Sequence, residues 1–422
     1  MKKYRWHHTL TALLFLSVWM GTGCLKDKCT SYRVYQRYDP VMQAGVDFRT
    51  GLTVEAPREL QLPGKIYAWG QYLFIGERNE GVHVIDNSDP ANPQKVAFWR
   101  IQGNADIAIR GHYLYADQYV DLLTIDLSEV AQPVLVCRKE EAFYLHGKAD
   151  DGRYITHYEP VEEYRTLDCS DERSSWSVFP EGDLLYSAVK DGSSTQSSGV
   201  NNSVSTGVGG SFARFGLAND MLYTLDQSYL KSWGLSNPLC PNKLDSTWAG
   251  GAETLFPWRD RLFVGTPTGL LIYNNSNPAH PVFETGFSHA RGCDPVVCDD
   301  NYAYVTVRGG TTCGGVINQL EVLDIRQLPQ VSSVAVYPMQ FPKGVGILGD
   351  YLFVCDNGLK TYNRSQPADL KQLSHLKNIN TYDVIPLSQQ LVLVTGDDGF
   401  YQIDLSDPDN PKVLSSIPVK RP

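Results

Sequence analysis

The 422-residue sequence has no surplus of positive charge: 37 lysines and arginines stand against 47 aspartates and glutamates, a formal net charge of −10. A phosphate backbone needs a concentrated basic surface, so nucleic acid is excluded as a partner. Runs of like charge are missing too, which removes acidic or basic interaction tails. Helical periodicity is nowhere sustained over about ten residues, which argues against helical and α/β folds. There is no Gly-x-Ser-x-Gly elbow, His-Glu-x-x-His pair or phosphate loop, so the familiar hydrolase, metalloprotease and nucleotide signatures are not offered. Cys293, Cys298 and Cys313 stand in no Cys-x-x-Cys pair and beside no histidine, so no zinc site is expected, and nothing requires a metal or a cofactor.

Long apolar runs are also lacking, apart from Leu10 to Met20 behind the basic start Met1-Lys2-Lys3-Tyr4-Arg5. That pattern is a signal-peptide core, too short to span a bilayer well. It ends in Gly21-Thr22-Gly23-Cys24, which resembles the lipobox of bacterial lipoproteins, with Gly21 where leucine is usual. The resemblance implies cleavage before Cys24 and a lipid on Cys24. Residues 1–23 are then the signal, 24–57 a tether, and 58–422 the folded part. The membrane becomes a partner through the anchor, and the location is extracytoplasmic, at the outer membrane or cell surface. Eight further cysteines in an oxidising compartment permit disulfides. A bond from Cys313 to Cys293 or Cys298 is the expected one.

What the sequence does contain is a period. Gly81 to Trp99 reads GVHVIDNSDPANPQKVAFW, and Gly399 to Ile417 reads GFYQIDLSDPDNPKVLSSI. β-Branched and aromatic runs recur at about forty-residue spacing: YLFIGE from Tyr72, YLYADQ from Tyr113, YITHYE from Tyr154, MLYTLD from Met221, RLFVGT from Arg261, YAYVTV from Tyr302, YLFVCD from Tyr351 and LVLVTG from Leu391. Each is followed by a second strand, a loop and a third strand, and a shorter strand separates the copies. A repeating unit of four short strands that cannot cover its own faces is a propeller blade. The expectation is an all-β, eight-bladed β-propeller of four-stranded antiparallel blades. Seven blades are the alternative if the third copy is degenerate. That copy runs into a Ser/Gly-rich insertion near 187–211, whose composition reads as a loop.

The loops DNSDPANP from Asp86 and DLSDPDNP from Asp404 carry side chains that bond nearby amides, with prolines that preset φ. A variant, NNSNPAHP from Asn274, has no acidic group, so the shared feature is turn chemistry rather than calcium binding. The pattern V-I-D-x-S-D-P-x-x-P after a Gly-aliphatic strand resembles the LVIVD repeat of bacterial and archaeal cell-surface propellers. It is clearest at Leu73 to Ala97 and Leu391 to Leu414. The resemblance implies an extracytoplasmic propeller and no established reaction or catalytic residues.

Call the end of the ring that holds the links from second to third strand, and from one blade to the next, the upper face. Aligning the copies places Gly64, Asp106, His146, Arg214, Glu253, Asp294, Lys343 and Asp383 where the inner strands start, at the channel mouth. That ring is polar and differs in every blade, as a pocket reading several groups of one ligand requires. The expected function is a surface-tethered binding or scaffold module that engages a protein or glycan through its upper face. The competing class is a hydrolase or lyase acting on a carbohydrate or small polar metabolite, with His146 beside Glu253 or Asp294 as the acid/base set.

Overall fold

The computed structural model describes residues 30–144, 147–168, 208–209, 213–226, 228–288, 295–310 and 315–420. One compact unit holds residues 40–158 and 181–422; the described residues of a second are 30–39 and 159–168. In the first unit, seven antiparallel sheets take four strands each in chain order. They span 63–100, 107–139, 215–248, 254–288, 296–338, 342–376 and 383–418 and are blades 1 to 7. The first strand of one sheet packs beside the first strand of the next, as Phe215–Ala218 does beside Ile107–Arg110 and Thr254–Trp258, so these strands surround the axis.

The third residue of each second strand shows why the period folds this way. Phe74, Tyr115, Tyr223, Phe263, Tyr304, Phe353 and Leu393 occupy it, and all are buried. They belong to apolar clusters that run from blade to blade; one joins residues of blades 1, 2 and 3. Burying a side chain of this size contributes roughly 2–3 kcal/mol, and only a neighbouring blade supplies the cover. The glycine that opens several third strands has a separate cause. Gly81 and Gly269 adopt φ of 149° and 154°, and a Cβ on either would lie 2.0 and 2.1 Å from the carbonyl oxygens of Trp99 and Phe287 in the fourth strand. Any side chain there would push the outer strand away.

The Asp-Pro loops have two tasks. Internally, the first side chain accepts the amide two residues on: Ser88 to Asp86, Ser128 to Asp126, Ser276 to Asn274, Ser365 to Asn363 and Ser406 to Asp404, at 2.8–2.9 Å. Externally, five loops are held by the preceding blade. The Tyr115 hydroxyl donates to the Pro238 carbonyl, Tyr223 to Pro278, Tyr337 to Pro367, Ser374 to Pro408 and Ser415 to Pro90. The last of these closes the ring from blade 7 to blade 1. There the buried Gln402 amide donates to Asn87 Oδ1 at 2.6 Å and to the Pro90 carbonyl at 2.9 Å, while Asn87 donates back to Gln402 Oε1 at 3.1 Å. A parallel bridge between Leu60 and Val419 brings the two ends of the unit together at the same seam. At blades 2 and 3 the contact is covalent, a disulfide between Cys137 and Cys240. At blades 3 and 4 the equivalent positions, Asp245 and His280, approach within 3.1 Å.

Three expectations are corrected. The ring has seven blades, not eight. The copy expected from Tyr154 is instead one strand, Tyr154–Asp168, which pairs with Thr30–Gln43 in a two-stranded sheet. It has no Gly turn to fold it back and no Asp-Pro loop for a neighbour to hold. Cys298 is a buried free thiol, so its proposed bond to Cys313 is ruled out; Cys293 and Cys313 lie outside the described residues. The residues before blade 1 also do more than tether. Gly45–Phe48 is one helical turn, with Phe48 buried edge-on against Tyr119 and Tyr154. Thr53–Glu55 adds an outer strand to blade 1. Val208–Gly209 adds a further one to the inner edge of that blade, at Ala68 and Tyr67.

Candidate functional site

The channel mouth is built from inner-strand starts, and the structure puts Asp106 at its centre. Asp106 Oδ2 accepts the Lys65 ammonium at 2.7 Å, the Arg214 amide at 2.6 Å and the Phe215 amide at 3.0 Å. One carboxylate thereby joins the inner strands of blades 1, 2 and 3. Asp117, at the end of blade 2's second strand, accepts the amides of Ala105 and Asp106 and the Arg214 guanidinium at 3.0 Å. Lys65, Asp106 and Asp117 are buried. Burial pushes the Lys65 ammonium below its ordinary value and the Asp117 carboxyl above its own; Asp106 opposes the first shift and Arg214 the second. Two cations and two carboxylates make the cluster neutral.

The same use of carboxylates recurs around the ring. Glu77 accepts the amides of Gln61 and Leu62 and bonds His83 at 2.8 Å. Asp356 accepts the amides of Gln340 and Phe341 and the Lys360 ammonium. Asp226 accepts the Tyr144 amide and pairs with Lys231. In each case a buried acid at the end of a second strand binds the chain segment entering its blade, and a basic side chain on the third strand bonds the acid.

Of the other expected residues, Lys343 and Asp383 lie on the inner strands of blades 6 and 7, both near enough to act on the buried Cys355 thiol, which burial pushes up. The Lys343 ammonium sits 4.8 Å from the Tyr382 ring centre. Glu253 precedes blade 4's inner strand, and its amide donates to the Gly265 carbonyl. Gly64 lies in blade 1's inner strand, but the side chain that reaches the cluster belongs to the next residue, Lys65. His146, Asp294 and Cys24 lie outside the described residues.

Sequence reasoning missed a cavity of about 330 Å³ on the upper face between blades 2 and 3. Val120 comes from blade 2's hairpin, Lys231 from blade 3's third strand, and Glu141, Phe143, Tyr144, Gly147, Lys148 and Tyr154 from the segment after blade 2. That segment is pinned three ways. The Phe143 amide donates to the Val120 carbonyl at 2.8 Å, the Tyr144 amide to Asp226 at 2.9 Å, and the Lys231 ammonium to the Ala142 carbonyl at 2.8 Å. Tyr144 is nevertheless 61% exposed. Glu141 Oε1 accepts the Tyr154 hydroxyl at 2.6 Å and the Lys148 ammonium at 3.0 Å. These bonds hold the Glu141 carboxyl below its ordinary value. The adjacent aromatics Phe143 and Tyr144 in a connection between blades were the available signal. Among the described residues no cluster of metal-ligating side chains occurs.

Several solved structures align with most of this chain. The periplasmic gluconolactonase of Pseudomonas aeruginosa aligns with a TM-score of 0.51 at 10% identity, over 85% of this chain and 97% of that one. A protein from Lactobacillus plantarum aligns at 0.49 and 10% identity, over 85% and 97%. BamB from Moraxella catarrhalis aligns at 0.45 and 10% identity, over 90% and 92%. Such identities speak to fold alone. No curated protein matches the sequence. The LVIVD repeat model matches residues 64–97 and 102–139, which are blade 1 and blade 2 up to their fourth strands. The chain is a β-propeller whose first two blades carry LVIVD repeats.

Proposed function

We propose that this protein is an extracytoplasmic binding module, tethered through a lipidated Cys24, that takes a ligand on its upper face. One observation carries the preference for binding over catalysis. Five acids are consumed: Asp106 at the channel mouth and Asp117, Glu77, Asp226 and Asp356 at second-strand ends are buried and hold backbone amides and neighbouring basic side chains. A general acid or base must be within reach of a substrate proton and free to exchange it. The cavity between blades 2 and 3 is open instead, with a rigid wall and an exposed aromatic. The Cys137–Cys240 disulfide fits an oxidising compartment, as the signal sequence and Cys24 do.

The test is a thermal-shift screen of envelope-derived small molecules against the mature chain, followed by mass analysis of each recovered compound. Compounds that raise the melting temperature and return unchanged are expected. A screen without any shift, or a bound compound returned chemically altered, refutes the reading. The anchor is tested by fractionation: Cys24→Ala is expected to leave the chain in the soluble extracytoplasmic fraction.

A further inference from the structure

Resting on that binding reading, we infer that the cavity between blades 2 and 3 takes a neutral saccharide unit, with Tyr144 as its stacking platform. The first reason is mechanical. Residues 142–144 are fixed by three hydrogen bonds to three different elements, the blade 2 hairpin, Asp226 and Lys231. The Phe143 ring is also packed against Phe215 and Trp233. Phe143, turned inward, serves that packing, and stability alone does not call for a second aromatic on the outside. Here the fixed backbone turns Tyr144 outward, and a pre-positioned aromatic costs little further ordering when it binds.

The second reason is charge. Glu141 and Lys148 face each other across the rim at 3.0 Å, and the wall cation Lys231 is already offset by Asp226. An anion would meet Glu141 and Asp226, and a cation would meet Lys148 and Lys231. A neutral ligand meets neither penalty. The third reason is hydrogen-bond type. Glu141 offers only acceptors and Lys148 only donors, so a ligand that satisfies both must carry groups that donate and accept, which hydroxyls do. A sugar ring combines such hydroxyls with a C–H face that lies on an aromatic ring. The volume is at the lower end of small-molecule sites, which run from roughly 300 Å³ upward, and suits one or two sugar rings.

The experiment titrates the full mature chain with maltose, cellobiose, lactose and N,N′-diacetylchitobiose, and in parallel with digalacturonate and the glucosamine dimer, by calorimetry. At least one neutral disaccharide is expected to bind. Tyr144→Ala should weaken it about tenfold, the loss of about 1.4 kcal/mol of stacking and apolar contact. Tyr144→Trp should retain it, and Glu141→Gln should weaken it about fivefold or more, as loss of a charged acceptor does. Tyr229→Ala, an exposed tyrosine outside the cavity lining, should leave it unchanged. Binding insensitive to Tyr144→Ala, binding only of the charged dimers, or no binding of any probe overturns the inference. The last two leave the wider binding reading standing if the thermal-shift screen finds another ligand that depends on Tyr144. An empty screen sinks both.

Discussion

Gln402→Ala tests whether the loop contact between blades closes the ring. The side chain is fully buried between blades 7 and 1 and makes three hydrogen bonds, two with Asn87 and one with the Pro90 carbonyl. At about 1 kcal/mol net each, their loss costs about 3 kcal/mol. The Pro90 carbonyl keeps the Ser415 hydroxyl, but the Asn87 amide is left buried and unpaired, which adds about 1 kcal/mol or more. The expected total is about 4 kcal/mol. Asn87→Ala should cost about 2–3 kcal/mol, since it removes two of the same bonds. The double variant should therefore cost about 2 kcal/mol less than the sum of the two. Urea unfolding followed by tryptophan fluorescence measures all three. Ser374→Ala at the seam between blades 6 and 7 loses one bond and should cost about 1 kcal/mol. Strict additivity of Gln402→Ala and Asn87→Ala, or a Gln402→Ala cost no larger than that of Ser374→Ala, would refute the idea that this pair holds the closing seam.

The Cys137–Cys240 bond closes 103 residues of chain, so by loop-closure entropy its removal in the double alanine variant should lower stability by up to about 4.7 kcal/mol; the difference between urea melts with and without reductant should match that loss. Burial alone would raise the Glu77 carboxyl, but His83 and the Gln61 and Leu62 amides outweigh it and lower the value below 4.5. Folding is therefore strengthened by Glu77 above pH 4.5 and loses that contribution as the pH falls through the lowered value; Glu77→Gln should flatten this acid limb in a pH series of thermal melts. Gly269→Ala should cost about 3 kcal/mol or more, because both its φ and the Phe287 carbonyl forbid a Cβ; an unchanged melting temperature would contradict the strand-spacing account.

Much of the ring was legible because its rules are local. A strand with a buried ring at its third residue, a Gly turn and an Asp-Pro loop recur in the sequence, and they recur in the blades. The eighth blade was misread for a physical reason: YITHYE has the strand composition, but the text after YRTLDC has no Pro-x-x-Pro loop for a preceding blade to hold. The channel-mouth alignment placed Asp106, Arg214, Lys343 and Asp383 at inner-strand starts, since register follows from the period. Their partners did not follow. Lys65 stands one residue from the Gly64 named by alignment, and alternation sends only one of the two into the cluster. The cavity was invisible because it assembles three segments that are distant in sequence, and no period links them.

The hydrogen-bonded loops carry a consequence for descent. The joint that completes the ring, Ser415 on Pro90, repeats the joint inside it, Ser374 on Pro408. A tandem duplication of one period would bring its own loop carbonyl and its own hydroxyl to donate to the next loop. Blade number in such proteins can then drift by whole units without the invention of a new kind of interface.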